Sequence, residues 1–497
     1  MVTSVSMKVL MVAQHVNFFR NLDSILRELC RRGHQVVFLH GTQLDDARVV
    51  EKIAQDTSKK RMLGRGLQMA QSEIAGVTSG YRPEPSEAWS RRLRVGRQVV
   101  NRGIYFRQGH PSPERVVEGL ERGLPDRLRR KIHRPVWRYA LGTRAALGAW
   151  RWIEAASPAS ETVLRLLREI NPDVMLVSPT IWPKEPVEAD YVHAARTLGI
   201  PTVGYINSWD NLTSKGTVHV LPDLCLVWNE PMAREAVDIH DVPAHTVRIT
   251  GAPHLDAFFS MRPGKDRRAV CAGMGCPDRP YVVFLCSSRT VWENETHLVT
   301  SVADALVREF GDEAPTLVVR PHPTNPSPFD DYAHPRVVIY PRGGDQADSI
   351  ESWQDYYDQL VNATCVFGLN STAFLEAVVA GRPCLTIVGD VYWPAQGRTG
   401  HFRHLLKGSF LNICRSASDV AGCVRRILDG VDDQAEGRRG FTRWFLRPCG
   451  LDIPAGHVVA DVIETAALPR AGEAPKAFDV RRPLVPGLTL ASEGIRR

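Results

Sequence analysis

The sequence predicts an α/β chain of two doubly wound units in tandem, facing a cleft, with a mainly helical, basic insertion in the first. Three observations carry this. At 497 residues the chain is too long for one ordinary core and suits two of roughly 200 residues plus insertions. Short apolar runs that end in polar residues alternate with stretches of helical apolar spacing, as parallel strands and their crossover helices do. That alternation begins twice, near residue 8 and again near residue 281.

The first unit opens with KVLMVAQH, the pattern of a central parallel strand. NLDSILRELCRRGH places Leu22, Ile25, Leu26 and Leu29 on one helical face, Gly33 supplies a stop, and QVVFLH is the next strand. Residues 45–155 break the alternation with helical stretches, basic clusters and Trp137, Trp150 and Trp152, and are predicted to be the insertion. The alternation resumes with a helix over 160–170, strand DVMLVS, a helix over 186–198, strands PTVGYI and DLCLVW, a helix over 231–238 and strand TVRIT. SMRPGKDRR links this unit to the second. There YVVFLCSS (281–288) leads to a helix over 295–310, strands TLVVR and RVVIY, a helix over 349–361, strand TCVFG, a helix over 371–380 and strand PCLTIV. A last strand and helix lie in LNICRSASDVAGCVRRIL. The expected domains are 1–260 and 261–440, followed by helices over 441–467 and a loose Pro-, Gly- and Arg-rich tail over 468–497.

The composition, 43% hydrophobic and 24% charged, is that of an ordinary globular chain. No window approaches the ~18 uninterrupted apolar residues of a spanning helix. The N-terminal apolar run is short and leads directly into a helix, so it reads as a first strand and not as a signal peptide. A cytoplasmic location is expected, with the sequons at Asn211, Asn294, Asn362 and Asn370 fortuitous. The ten cysteines are scattered without a C-x-x-C pair, which signals neither a disulfide framework nor a zinc site. The net charge of +7 is uneven: residues 91–151 hold sixteen Lys and Arg against four acids, leaving the rest of the chain negative. An anionic neighbour suits that segment: a peripheral contact with an anionic membrane surface is one expectation, a solvated helical face the other, and nucleic acid is not expected.

Four stretches of the second unit fall at strand carboxyl ends, where such sheets bind ligands. CSSRTVWENE carries Arg289, whose guanidinium suits phosphate oxygens. VVRPHPTNPSP ends a strand with Arg320 and His322, the histidine held between prolines. VFGLNSTAFLEAVVAGRP passes from strand to helix through Asn370, Ser371 and Thr372, where free N–H groups and the helix dipole favour an anion. Glu376 lies one turn later on the same side and can accept the hydroxyls of a ribose; a capping box would need the cap at Ala373. GDVYWPAQGRTGHF is aromatic and glycine-rich, and can line a base or sugar pocket.

With these motifs the second half, over roughly residues 170–430, resembles the nucleotide-binding domain of GT-B-fold enzymes. The parallels are the CDP-glycerol glycerophosphotransferase and bacterial surface-polysaccharide glycosyltransferase group, and the UDP-N-acetylglucosamine 2-epimerases. The resemblance implies two Rossmann-like domains around a cleft. It also implies that Arg289, His322, Ser371, Thr372 and Glu376 bind a nucleotide diphosphate, and RTVWEN is close to the epimerases' R-R-E-N stretch. Where those epimerases keep an H-x-E-A-G loop, this chain reads PTVGYINSWDNLTSKG, and no E-E-x-N-R follows. Transfer is therefore expected in place of epimerisation.

In many GT-B glycosyltransferases a histidine after the first strand deprotonates the acceptor, and His15 matches it. Asp210 competes for that role, with Asp23 a lesser candidate for orienting the histidine. Trp209, Asn211, Thr213 and Lys215 around Asp210 are the expected acceptor-side residues. No D-x-D occurs, so a metal-independent reaction without a cofactor is expected. It would move a sugar or polyol phosphate from a UDP- or CDP-type donor to a cell-surface glycan or lipid-linked acceptor. A 2-epimerase-like enzyme and a non-catalytic nucleotide- or glycan-binding protein are the alternatives.

Overall fold

The computed structural model describes residues 6–41, 74, 76–107, 114–121, 124–181, 187–289, 291–344, 349–393, 396–397 and 399–467. The expected tail over 468–497 and the start of the insertion up to residue 73 lie outside them.

The first sheet has seven parallel strands: β1 (Lys8–Ala13), β2 (Gln35–His40), β3 (Val77–Tyr81), β4 (Val174–Ser178), β5 (Thr202–Tyr205), β6 (Leu224–Val227) and β7 (Val247–Ile249). Their order is β3-β2-β1-β4-β5-β6-β7. The second has six: β8 (Tyr281–Leu285), β9 (Thr316–Arg320), β10 (Val337–Ile339), β11 (Cys365–Gly368), β12 (Cys384–Ile387) and β13 (Leu411–Cys414), in the order β10-β9-β8-β11-β12-β13. Both are doubly wound. The strand order reverses between β1 and β4 in one sheet and between β8 and β11 in the other, and ligands bind at such switch points.

The central strands are buried on both faces, β1 and β8 almost completely, which is why they read as unbroken apolar runs. Among the described residues the insertion is mainly helical, as expected, but it also supplies the strand β3. VTSGY is a half-exposed edge strand paired in register with β2, Val36 opposite Val77 and His40 opposite Tyr81. Helices follow over Ala88–Arg107, Glu114–Glu121, Asp126–Ile132, Pro135–Ala140 and Arg144–Ala156.

Part of the insertion's basic charge is directed inward. Arg97 is buried and forks onto two carboxylates, with Nε 2.7 Å from Glu154 Oε1 and Nη1 2.7 Å from Asp190 Oδ2. Arg102 pairs with Glu121 and donates to Ile132 O at 2.9 Å. Arg151 donates to the carbonyls of Val218 at 2.8 Å and His240 at 2.6 Å. Arg97 and Arg151 tie the insertion to the rest of the first domain and Arg102 ties its helices to one another, so these three are not offered to a partner.

The C-terminal helix Ala455–Ala467 returns to the first domain and packs on helix Phe19–Arg31. Arg32 reaches Asp461 at 2.6 Å and Glu464 at 2.9 Å, and His34 reaches Glu464 at 2.8 Å. Gly456 permits the approach, since a Cβ there would fall 2.2 Å from Ser24 Oγ. Gly456→Val should therefore destabilise the protein by about 1–3 kcal/mol. An unshifted thermal transition would show that the two helices do not dock this tightly. One continuous core joins Val9 and Phe38 of the first sheet, Phe445 and Val459 of the C-terminal segment, and Tyr281 and Phe374 of the second domain.

Candidate functional site

The carboxyl ends of both sheets open onto one cavity of about 480 Å³, lined by residues from each domain. From the first come Arg20 and Asn21, Asn207 to Asp210 after β5, and His254 after β7. From the second come Ser288, Arg320 to Thr324, Tyr356, Asn370 to Ala373, Glu376 and His401.

His322 stands in the rigid loop after β9. Its Nδ1 lies 3.1 Å from the backbone N of Thr324, which can only donate. The neutral ring therefore carries its proton on Nε2 and is a hydrogen-bond donor there. Burial lowers its pKa to about 4, so it is neutral at pH 7. Arg320 lies over the Tyr356 ring at 4.1 Å and donates to Gln359 Oε1 at 3.1 Å. Glu376 is buried and accepts from Arg20 across the domain boundary at 3.2 Å, with the Tyr356 hydroxyl as a second partner.

The helix start after β11 differs from the expected free-donor nest. Ala373 N–H donates to Ser371 Oγ at 3.3 Å, Phe374 N–H to Ser371 O at 3.2 Å and Leu375 N–H to Thr372 O at 2.9 Å. A tight first turn has taken these donors, and Ser371 and Thr372 line the cavity with it. Asn370 is buried, with Nδ2 3.3 Å from His401 Nε2. Arg289 does not line the cavity; its side chain is mostly exposed and pairs with Glu293 at 2.9 Å.

NSWDNLTSKG divides in two. Trp209 is buried, donates from Nε1 to Thr372 Oγ1 at 3.2 Å and meets the His401 ring edge-on at 4.9 Å, so it joins the two domains. Asp210 borders the cavity. Burial alone would raise its pKa, but Lys215, His401 and the hydroxyls of Ser208 and Ser214 outweigh this and hold it at about 2. Asn211, Thr213 and Lys215 do not line the cavity. Asn211 accepts from Ser208 N at 3.1 Å, Thr213 donates to Asp210 O at 3.2 Å, and Lys215 Nζ lies 3.6 Å from Asp210 Oδ2. They brace the short helix Asn211–Ser214 and the carboxylate before it.

His15 leaves β1 at the switch point of the first sheet, outside the cavity wall, with its ring stacked on Phe18. Its surface is exposed, yet it sits in a recess beside Arg82 and His40. Lost hydration and then those neighbours lower its pKa to about 4. Asp23 is turned away from it and pairs with Arg27 at 2.9 Å.

Sequence reasoning missed Arg20, Asn21, Tyr356 and His254. Arg20 and Asn21 follow the first strand of a doubly wound sheet, and that position was a usable signal. His254 in GAPHLD follows β7; it is half-buried with its ring 4.7 Å from that of Trp228, and lost hydration with Arg20 nearby lowers its pKa to about 3. Tyr356 lies on helix Ile350–Asn362, inside a stretch with nothing but helical spacing to read.

No family model matches the chain, and no curated protein does. Solved structures do. The S. aureus MnaA–UDP co-structure is 10% identical, with a TM-score of 0.50, and the match covers 92% of this chain and 96% of that one. A UDP-GlcNAc 2-epimerase from Methanocaldococcus jannaschii is 9% identical over 92% of this chain and all of its own, with a TM-score of 0.47. Anabaena Alr3699/HepE in complex with UDP and glucose is 11% identical over 92% of this chain and all of its own, at 0.46. Identities this low speak for the fold alone, and only the first match reaches a TM-score that carries weight. The chain has the GT-B fold, two doubly wound domains whose strand ends face a common cleft.

Proposed function

We propose that the protein is a metal-independent GT-B transferase that moves a sugar or polyol phosphate from a nucleoside diphosphate donor to a glycan or lipid-linked acceptor. One observation carries this reading: a cavity at the carboxyl ends of both sheets gathers cations, neutral donors and a buried carboxylate. Arg20 and Arg320, the Nε2–H of His322 and the hydroxyls of Ser371 and Thr372 meet the diphosphate. They are fixed before reaction, so they act on negative charge as it develops on the leaving group. Glu376 takes the ribose hydroxyls. The acceptor enters from the first-domain side and gives its proton to His15.

UDP, the ligand of the S. aureus co-structure, is the first probe. In calorimetry His322→Ala and Glu376→Ala should each weaken UDP or CDP binding by about tenfold, the loss expected for a hydrogen bond to a charged group. Unchanged affinity in both would sink the site. Turnover should survive EDTA. Incubation with a UDP-sugar alone should give no epimer, and an epimer would turn the reading to the 2-epimerase-like alternative.

A further inference from the structure

Helix Arg144–Ala156 turns its charged side inward. Arg151 and Glu154 are taken up by Val218 O, His240 O and Arg97, Arg144 is paired with Asp241 at 3.0 Å, and Leu147 joins Val100 and Ile104 in a small core. The opposite side, with Ala145, Ala149, Trp152, Ile153 and Ala156, is exposed and carries no charge. Trp152 is 72% exposed and Ile153 42%. A helix facing water ordinarily places polar residues there. The two short helices before it expose Val136 (66%) and Trp137 (47%). They also expose Arg127, Arg129, Arg130, Lys131 and Arg134, against Asp126 alone. Among the described residues no helix is long and apolar enough to cross a membrane.

We propose that the surface of residues 126–156 docks on an anionic lipid bilayer. Tryptophan and aliphatic side chains enter the interface, and the arginines and Lys131 meet lipid phosphates. The charge selects this occupant. A second copy of the chain would bring two basic faces together, whereas an anionic leaflet attracts each basic side chain. None of these residues lines the cavity, so the inference is independent of the transfer reading.

The test is sedimentation of the full chain with vesicles of phosphatidylcholine, with and without phosphatidylglycerol. The protein should sediment with the anionic vesicles. Trp152→Ala with Ile153→Ala should lower partitioning by about tenfold. Arg127→Ala with Arg130→Ala and Lys131→Ala should lower it by at least about tenfold on anionic vesicles alone. UDP affinity and circular dichroism should stay as in the wild type. No sedimentation, or sedimentation that neither variant changes, overturns the proposal. So does a dimer in solution that Trp152→Glu dissociates, since the face would then be a contact between copies.

Discussion

Replacing Arg97 by alanine should lower the stability of the first domain by about 3–5 kcal/mol. The guanidinium is buried between Glu154 of helix Arg144–Ala156 and Asp190 of helix Glu188–Thr197, and makes four hydrogen bonds of 2.7–3.1 Å. Burial opposes its charge, but Asp190 and Glu154 outweigh this and raise its pKa. Alanine would leave two carboxylates without water and without a partner, and that penalty exceeds the lost attraction. Arg97→Met fills the space but repairs neither carboxylate, so it should cost nearly as much. Adding Glu154→Leu and Asp190→Leu should recover most of the loss, because an apolar triad needs no desolvation of charge. Urea denaturation followed by tryptophan fluorescence measures all three. A loss under about 1 kcal/mol for Arg97→Ala would show that water reaches the site.

Such an ion network was not legible in the sequence, although its members were counted. The arginines of residues 91–151 appeared as one block of positive charge, and a charge count cannot tell Arg97, turned inward, from Arg130, exposed. The central strands were legible because burial on both faces leaves no polar residue in β1 or β8 beyond the strand's first position. β3 was not: on the sheet edge, VTSGY needs no apolar face, and its backbone pairing with β2 makes the strand. The return of the C-terminal helix was equally hidden, since Gly456 against Ser24 is a tertiary contact with no local signature.

The site was legible where a strand end dictates it. His322, Ser371, Thr372 and Glu376 reach the cavity because they follow β9 and β11 on the side where the cleft opens. Being at a strand end does not set side-chain direction, and Arg289 shows the difference: it pairs with Glu293, four residues on, and does not line the cavity. The polar run after β5 misled in the same way. Asn211, Thr213 and Lys215 satisfy the turn's own backbone and Asp210, leaving only its first four residues in the wall. The Arg20–Glu376 pair joins residues 356 apart and belongs to the domain arrangement, not to any motif.

His15→Ala should lower kcat by about 10²–10⁴ while leaving UDP affinity nearly intact. The proposal that His15 takes the acceptor's proton rests on two comparisons with Asp210. The first is basicity: a pKa of about 4 leaves the imidazole neutral at pH 7 and more basic than Asp210, which is held at about 2 by Lys215, His401 and its hydroxyl partners. The second is position, since His15 leaves β1 at the first sheet's switch point, whereas the Asp210 carboxylate is tethered within its own loop by Ser214 at 3.0 Å and Lys215 at 3.6 Å. The sign of the pH dependence follows. The active form of His15 is unprotonated, so kcat/KM is flat on its account above pH 5 and falls as pH drops through about 4. Asp210→Asn removes a charge beside Lys215 and His401 and should cost less, with the acid limb unmoved. If Asp210 is the base, Asp210→Asn is the crippling change, His15→Ala is mild, and no acid limb is seen near pH 4. Donor binding measured on the same variants separates these outcomes from failure of the nucleotide site, because neither residue touches the diphosphate in this reading.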